Sequence, residues 1–206
     1  MRSIDFWYDF GSTYSYPAAM RIEAMADEAG VTVQWRPFLL GVIFRDQGLT
    51  TSPFVINKVK GRYMWRDMQR ICAEHGLPFQ APDPFPQNSM LAARIALTDG
   101  VSPQRAAFTR HVYDAAFGEG ARISEESVMA TLLAELGFEP QSMLSEAKSE
   151  TVKQRLRDET AEAQRIGLFG APSFVLPDGE VFWGHDRLER ALAWAKGRGL
   201  GRFGTA

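Results

Sequence analysis

The sequence predicts an α/β fold in which a β-α-β unit and a β-β-α unit are separated by a long helical segment. Three observations carry that prediction. Strand-like apolar runs occur only towards the two ends of the chain, successive stretches between them carry helical spacing, and the chain closes on a hairpin signal followed by one helix. With 206 residues, 45% hydrophobic and 12% aromatic, the chain can bury an ordinary globular core.

The first strand is the run "IDFWYDF" from Ile4 to Phe10. "YPAAMRIEAMADEAG" then spaces Ala18, Ile22, Met25 and Ala29 on one helical face and stops at Gly30. "VTVQWRPFLL" alternates in its first half, is rich in β-branched residues and reads as a second strand ending at Pro37. A helix of this length between two strands suits a right-handed crossover, hence a parallel pair.

From Ser52 to about Gly167 the segments are helical: "FVINKVKGRYMWRDMQRICAEHG", "SMLAARIALTDG", "SPQRAAFTRHVYDAAFG", "SEESVMATLLAELG" and "SETVKQRLRDETAEAQRIG". Ser52-Pro53, Ser102-Pro103 and Ser124 with Glu126 read as helix starts, and Gly76, Gly100 and Gly137 as stops. Pro78, Pro82, Pro84 and Pro86 make "LPFQAPDPFPQNS" a stiff extended connector. After Gly170, "PSFVL" and "EVFWG" flank a turn at Asp178-Gly179, and "DRLERALAWAKG" is the closing helix. This is the plan of a thioredoxin fold interrupted by helices. Residues 1–51 and 168–206 would form a discontinuous thioredoxin-like domain, and residues 52–167 a helical insertion domain.

Charge and composition exclude several classes. The 23 basic and 25 acidic residues give a net charge of −2 with no long basic run, which argues against nucleic acid. No apolar run approaches the roughly 20 residues that cross a bilayer, and the N-terminus lacks a signal-peptide core, so no membrane is expected and the simplest address is the cytoplasm. The three His and one Cys show no ligand spacing, so no metal is expected. Cys72 is the only cysteine; it cannot form an intrachain disulfide, and it reads as a small hydrophobe on a helix face.

The stretch "DFGSTYSYPA" places Ser12, Thr13, Tyr14 and Ser15 where thioredoxin-type oxidoreductases carry two cysteines around a dipeptide. A serine there has a default role as helix N-cap. The functional alternative uses the same geometry, because unpaired amides and the positive end of a helix stabilise a thiolate, and a hydroxyl adds a donor. A hydrolase nucleophile is disfavoured: the chain has only His75, His111 and His185 as histidine bases, and no glycine stands two positions after Ser12. His75 and His111 read as an ordinary helix end and helix face, and Ser15 as a cap or packed hydroxyl.

In order along the chain, "DFGSTYSY", "WRPFLLG", "KGRYMWRDMQR", "FPQNS", "GLFGAPSFVL" and "FWGHDRLE" resemble the 2-hydroxychromene-2-carboxylate isomerases, DsbA-like relatives of the kappa-class glutathione transferases. The resemblance spans nearly the whole chain and implies a DsbA-like thioredoxin fold, glutathione as cofactor, an aromatic acid as substrate and a homodimer. It implies that Ser12 is catalytic and hydrogen-bonds the glutathione sulfur. It further implies that Ala171, before a cis Pro172, offers backbone groups to glutathione, that His185 and Asp186 hold its γ-glutamyl end, and that Lys60 approaches its glycyl carboxylate. Arg45 and Asn88 match positions near the substrate. Plainer roles stand beside these: Asp186 as a helix cap, Lys60 as a solvated lysine, Pro172 as a trans proline opening an edge strand. The sequence departs from the pattern at Thr13, where relatives often have Pro, at Leu49 after Gly48, where they have Asn, and at Arg45 after Phe44, where they have Lys.

The activity so implied is glutathione-dependent isomerisation of 2-hydroxychromene-2-carboxylate or a similar unsaturated keto acid, by thiol addition, bond rotation and elimination. A kappa-like transferase or peroxidase on the same scaffold is the first alternative. A non-catalytic peptide-binding relic of a disulfide oxidoreductase is the alternative of another class.

Overall fold

The computed structural model describes residues 2–197. Met1 and residues 198–206, both within the expected two-segment domain, lie outside the described residues. The elements run β1 (Ser3–Tyr8), α1 (Ser15–Ala29), β2 (Thr32–Pro37), α2 (Leu40–Asp46), α3 (Pro53–Ile56), α4 (Lys58–Glu74), α5 (Met90–Ile95), α6 (Arg105–Tyr113), α7 (Glu126–Glu135), α8 (Pro140–Ala147), α9 (Glu150–Arg165), β3 (Ser173–Val175), β4 (Val181–Trp183) and α10 (Leu188–Ala195). The sheet order is β2-β1-β3-β4. β1 and β2 are parallel, with Ser3 opposite Thr32 and Tyr8 opposite Pro37, whereas β3 is antiparallel to both β1 and β4.

Strand β1 reads as a continuous apolar run because it is buried on both faces. Ile4, Phe6 and Tyr8 face the main core, where Phe6 stacks on Tyr8 at 5.2 Å and on Phe174 of β3 at 5.6 Å. Trp7 points the other way, into a smaller cluster with Phe38, Ile43, Ala163 and Leu168. The main core is continuous from the sheet into the helical segment, joining Phe6 and Tyr8 to Met64, Phe108, Tyr113 and Leu133. On the opposite side α9 is tied to the β2 end by Arg36 on Glu159 at 3.1 Å and by the Leu39 amide on Thr160 Oγ1 at 3.2 Å.

Helix α1 follows expectation, ending at Gly30 with φ of 64°, a conformation glycine adopts without steric cost. Two elements depart from it. The stretch from Phe54 to His75 is broken at Asn57, whose backbone is extended while its Oδ1 accepts from the Val59 and Lys60 amides. An Asn that competes for backbone donors in this way starts a new helix instead of continuing the old one. The second departure is "LGVIFRD", in the stretch between Pro37 and Ser52 to which the sequence reading assigns no element, and which forms α2. Its first amide, on Leu40, is capped by Asp9 Oδ2 at 2.7 Å from 31 residues away, a partner invisible to local reading. Asp186 does not cap α10 with its side chain; it lies in a 3-10 turn (His185–Arg187) and pairs with Arg187 at 2.5 Å.

Candidate functional site

The carboxyl end of β1, the turn that leads into α1, helix α2, the α3-α4 corner, the proline connector and the Phe169–Ala171 loop enclose a cleft of about 990 Å³. This is the upper end of the usual range for small-molecule sites. Ser12, Arg45, Lys60, Asn88 and Ala171 all line it, although they come from five separate stretches of sequence. Pro172, His185 and Asp186 do not line it; His185 lies next to the turn instead, its ring stacked on Tyr14 at 5.6 Å and 4°.

Ser12 is not a helix cap. Its hydroxyl donates to the Ala171 carbonyl at 3.0 Å, and its amide donates to the Asp9 carbonyl at 2.8 Å. Helix α1 begins at Ser15 with no side-chain cap, and the Thr13 and Tyr14 amides have no acceptor among the described residues. An uncapped helix start beside a buried hydroxyl concentrates donors on one spot, which suits an anion. The Ala171–Pro172 bond is cis, and Gly184 donates its amide to the Pro172 carbonyl at 2.9 Å, which seats the His185–Asp186 turn beside the same loop.

Asp9 lies beneath this turn and is fully buried. Its Oδ1 accepts from the Gly11 amide and its Oδ2 from the Leu40 amide, each at 2.7 Å, and Tyr113 donates its hydroxyl to the Asp9 carbonyl at 2.8 Å. Burial raises the carboxyl above the ordinary range, and the bonds from Gly11, Leu40 and Ser89 only partly offset it. Asp9 therefore joins two cleft walls, the Ser12 turn and α2. Gly11 sits close against its neighbours, since a Cβ would stand 3.1 Å from the Gln87 carbonyl and 3.2 Å from Asp9 Oδ1 and would press both back by a few tenths of an ångström.

The remaining polar groups differ in character. Arg45 and Lys60 are exposed and form no ion pair among the described residues, which leaves two cations turned on the cleft. Asn88 accepts from the Met90 amide at 3.0 Å, so its oxygen is engaged and its NH2 is the group left for a ligand. Thr13 donates to Met64 Sδ at 3.3 Å, pinning the turn to α4 by a bond a proline cannot make. Tyr14 donates to Asp67 Oδ2 at 3.0 Å. Burial pushes the His185 imidazole down, with Asp186 opposing, so it holds its proton less tightly than an ordinary histidine.

Several expectations of plain roles hold. Cys72 is buried, and burial pushes its thiol up to about 11, far from a reactive thiolate. Ser15 is fully buried within α1, His75 ends α4, and His111 on α6 pairs with Glu135 at 2.7 Å. Sequence reading passed over Asp9, Phe169 and Trp183. A carboxylate ending an otherwise apolar strand was the one available signal for Asp9; the two aromatics look like core residues until their exposure is seen.

The profile of the DSBA-like thioredoxin domain matches residues 3–193. The chain is 29% identical over 185 residues to a 2-hydroxychromene-2-carboxylate isomerase of Pseudomonas putida, covering 90% of each protein. It is 27% identical to glutathione s-transferase kappa 2 of Caenorhabditis elegans, covering 90% of this chain and 88% of that one. A solved structure of a 2-hydroxychromene-2-carboxylate isomerase is 30% identical and superposes with a TM-score of 0.85 over 95% of both chains.

Proposed function

This chain belongs to the DSBA-like thioredoxin domain family, and from that premise we propose that it is a glutathione-dependent isomerase of 2-hydroxychromene-2-carboxylate or a closely similar aromatic keto acid. The observation that carries the reading is the Ser12 hydroxyl, held by the Ala171 carbonyl at an uncapped helix start that opens on a cleft with two unpaired cations. The redox pair of related folds is replaced by serines, and the one cysteine is buried, so the chain supplies no reactive sulfur of its own.

The donor set fits a thiol tripeptide. Ser12 Oγ and the Ala171 carbonyl satisfy each other at 3.0 Å, so rotation of one hydroxyl frees a donor for sulfur and an acceptor for a peptide amide together. Bound glutathione would supply the nucleophile that adds reversibly to the unsaturated carbon, lets a bond rotate and is recovered unchanged. Ser12 and the Thr13 and Tyr14 amides hold negative charge at the sulfur position. Lys60 meets the glycyl carboxylate, and His185 with Asp186, next to Tyr14, meets the γ-glutamyl end, where Asp186 suits an ammonium. Arg45 takes the substrate carboxylate, and the Asn88 NH2 donates to the oxygen on which charge develops.

A homodimer is part of the same proposal, supported by the exposed apolar residues Val55, Ile56, Val59 and Tyr63 at the α3-α4 corner. So is a cytoplasmic address, since a glutathione-dependent site needs a compartment rich in the reduced thiol. The kappa-type relative favours one second reading, in which glutathione is consumed by conjugation.

The deciding experiment follows the absorbance of 2-hydroxychromene-2-carboxylate with catalytic glutathione, for wild type and Ser12→Ala. Turnover that requires glutathione, leaves its concentration constant and falls at least 10-fold in Ser12→Ala is expected. A stable adduct by mass would move the assignment to the transferase, and the absence of glutathione binding would sink the thiol site.

A further inference from the structure

We propose that Phe169 and Trp183 form the wall against which the aryl ring of a planar aromatic carboxylate lies, making them specificity-determining residues of the cleft. This rests on the isomerase reading above and adds to it the place of the ring. Among the described residues these are the most exposed Phe and Trp, at 50% and 53%; Tyr63 is the other large aromatic exposed in the cleft, across from them on α4. Both line the cleft, and they meet edge to face with centroids 4.9 Å apart. Half-exposed rings forgo a large part of the stabilisation that burial gives, so a ring ligand that covers them recovers it.

Their position is built, not incidental. A Cβ on Gly170 would stand 2.3 Å from the Trp183 Nε1, so the indole occupies the space of the absent side chain and its orientation is set by that contact. Gly170 lies between Phe169 and Ala171, the residue whose carbonyl holds the Ser12 hydroxyl, so the ring wall and the sulfur position share one loop. The Phe169 carbonyl accepts from Gln47 Nε2 at 3.5 Å, which ties the loop to the end of α2 that carries Arg45. A ring against the pair thus has an unpaired guanidinium on the neighbouring wall for its carboxylate and the Ser12 turn along the same loop. An aliphatic acid satisfies Arg45 alone.

The test is calorimetric titration of the full chain with 2-naphthoate and, separately, hexanoate, for wild type, Phe169→Ala, Trp183→Leu and Trp183→Phe. Both truncations are expected to weaken naphthoate about 10-fold while leaving hexanoate unchanged, and Trp183→Phe, which keeps a ring, to stay within about 3-fold of wild type. Equal naphthoate affinity in wild type and both truncations overturns the proposal, as does an equal loss for hexanoate or no naphthoate binding at all. Turnover is read separately on wild type: naphthoate binding without isomerisation sinks the isomerase reading, and isomerisation with unaltered naphthoate affinity in the truncations sinks only the aryl wall.

Discussion

The two sides of the cleft are built on different principles. The sheet side, with Asp9, Ser12 and Ala171, is buried and fixed by short bonds: 2.7 Å from Gly11 and from Leu40 to Asp9, and 3.0 Å from Ser12 to the Ala171 carbonyl. The helical side, with Arg45, Lys60 and Asn88, is exposed, and its two cations have no ion-pair partner among the described residues. A reacting sulfur has to be held to within fractions of an ångström, which buried and mutually satisfied groups achieve. A bound carboxylate tolerates a flexible, solvated cation, because its attraction falls slowly with distance. Substitutions on the sheet side should therefore be costly and those on the helical side mild.

The largest effect is expected at Asp9. In Asp9→Asn one carboxylate oxygen becomes an NH2 facing a backbone amide, so chemical denaturation should show a loss of about 2 to 4 kcal/mol. The substitution also has a pH signature. Because burial raises the Asp9 carboxyl, the folded chain binds that proton more tightly than the unfolded chain. Its stabilising contribution is full below the ordinary carboxylate value of about 4 and is lost as pH rises through the elevated folded value. The difference in stability between wild type and Asp9→Asn should shrink over that window; a difference independent of pH would mean that Asp9 does not titrate there.

Ser12→Ala comes next, with kcat/KM down about 10- to 100-fold, the range for a hydrogen bond to a charged group. Folding stability should move little, since the Ala171 carbonyl is next to the cleft. Across the cleft, Lys60→Met should raise KM for glutathione about 5-fold with kcat nearly unchanged, as expected of a solvated ion pair worth about 1 kcal/mol. An equal fall in kcat would place Lys60 in the chemistry and erase the contrast between the walls. Smallest of all, Cys72→Ala should leave turnover within about 2-fold, and the native thiol should resist a disulfide reagent until the chain unfolds, because burial holds it protonated.

Much of this molecule was legible along the chain. The parallel β1-α1-β2 unit, the helical middle, the β3-β4 hairpin and the closing helix follow from periodicity and from glycine and proline punctuation, which act over a few residues. Ser12 was visible because a serine in a strand-to-helix turn is a local pattern. Helix α2 had no local signal because its first amide is capped by Asp9 through a tertiary contact, and the helix break at Asn57 was missed because the residue competes for amides only once its backbone is extended. The expected Asp186 cap also failed: the side chain turned to Arg187, one residue away, in a 3-10 turn that delays the helix to Leu188.

The sequence by itself determined the order of elements, the absence of a second thiol and the residue types available to the site, since composition and short-range pattern fix these before the chain folds. Only the tertiary structure decided which of them meet. Ser12 and Ala171 are separated by 159 residues and are joined by one hydrogen bond. Phe169 and Trp183, indistinguishable in sequence from core aromatics, are left half in solvent at the cleft, where the indole takes the space a side chain on Gly170 would fill. Burial and proximity are properties of the packed chain, and no local propensity encodes them.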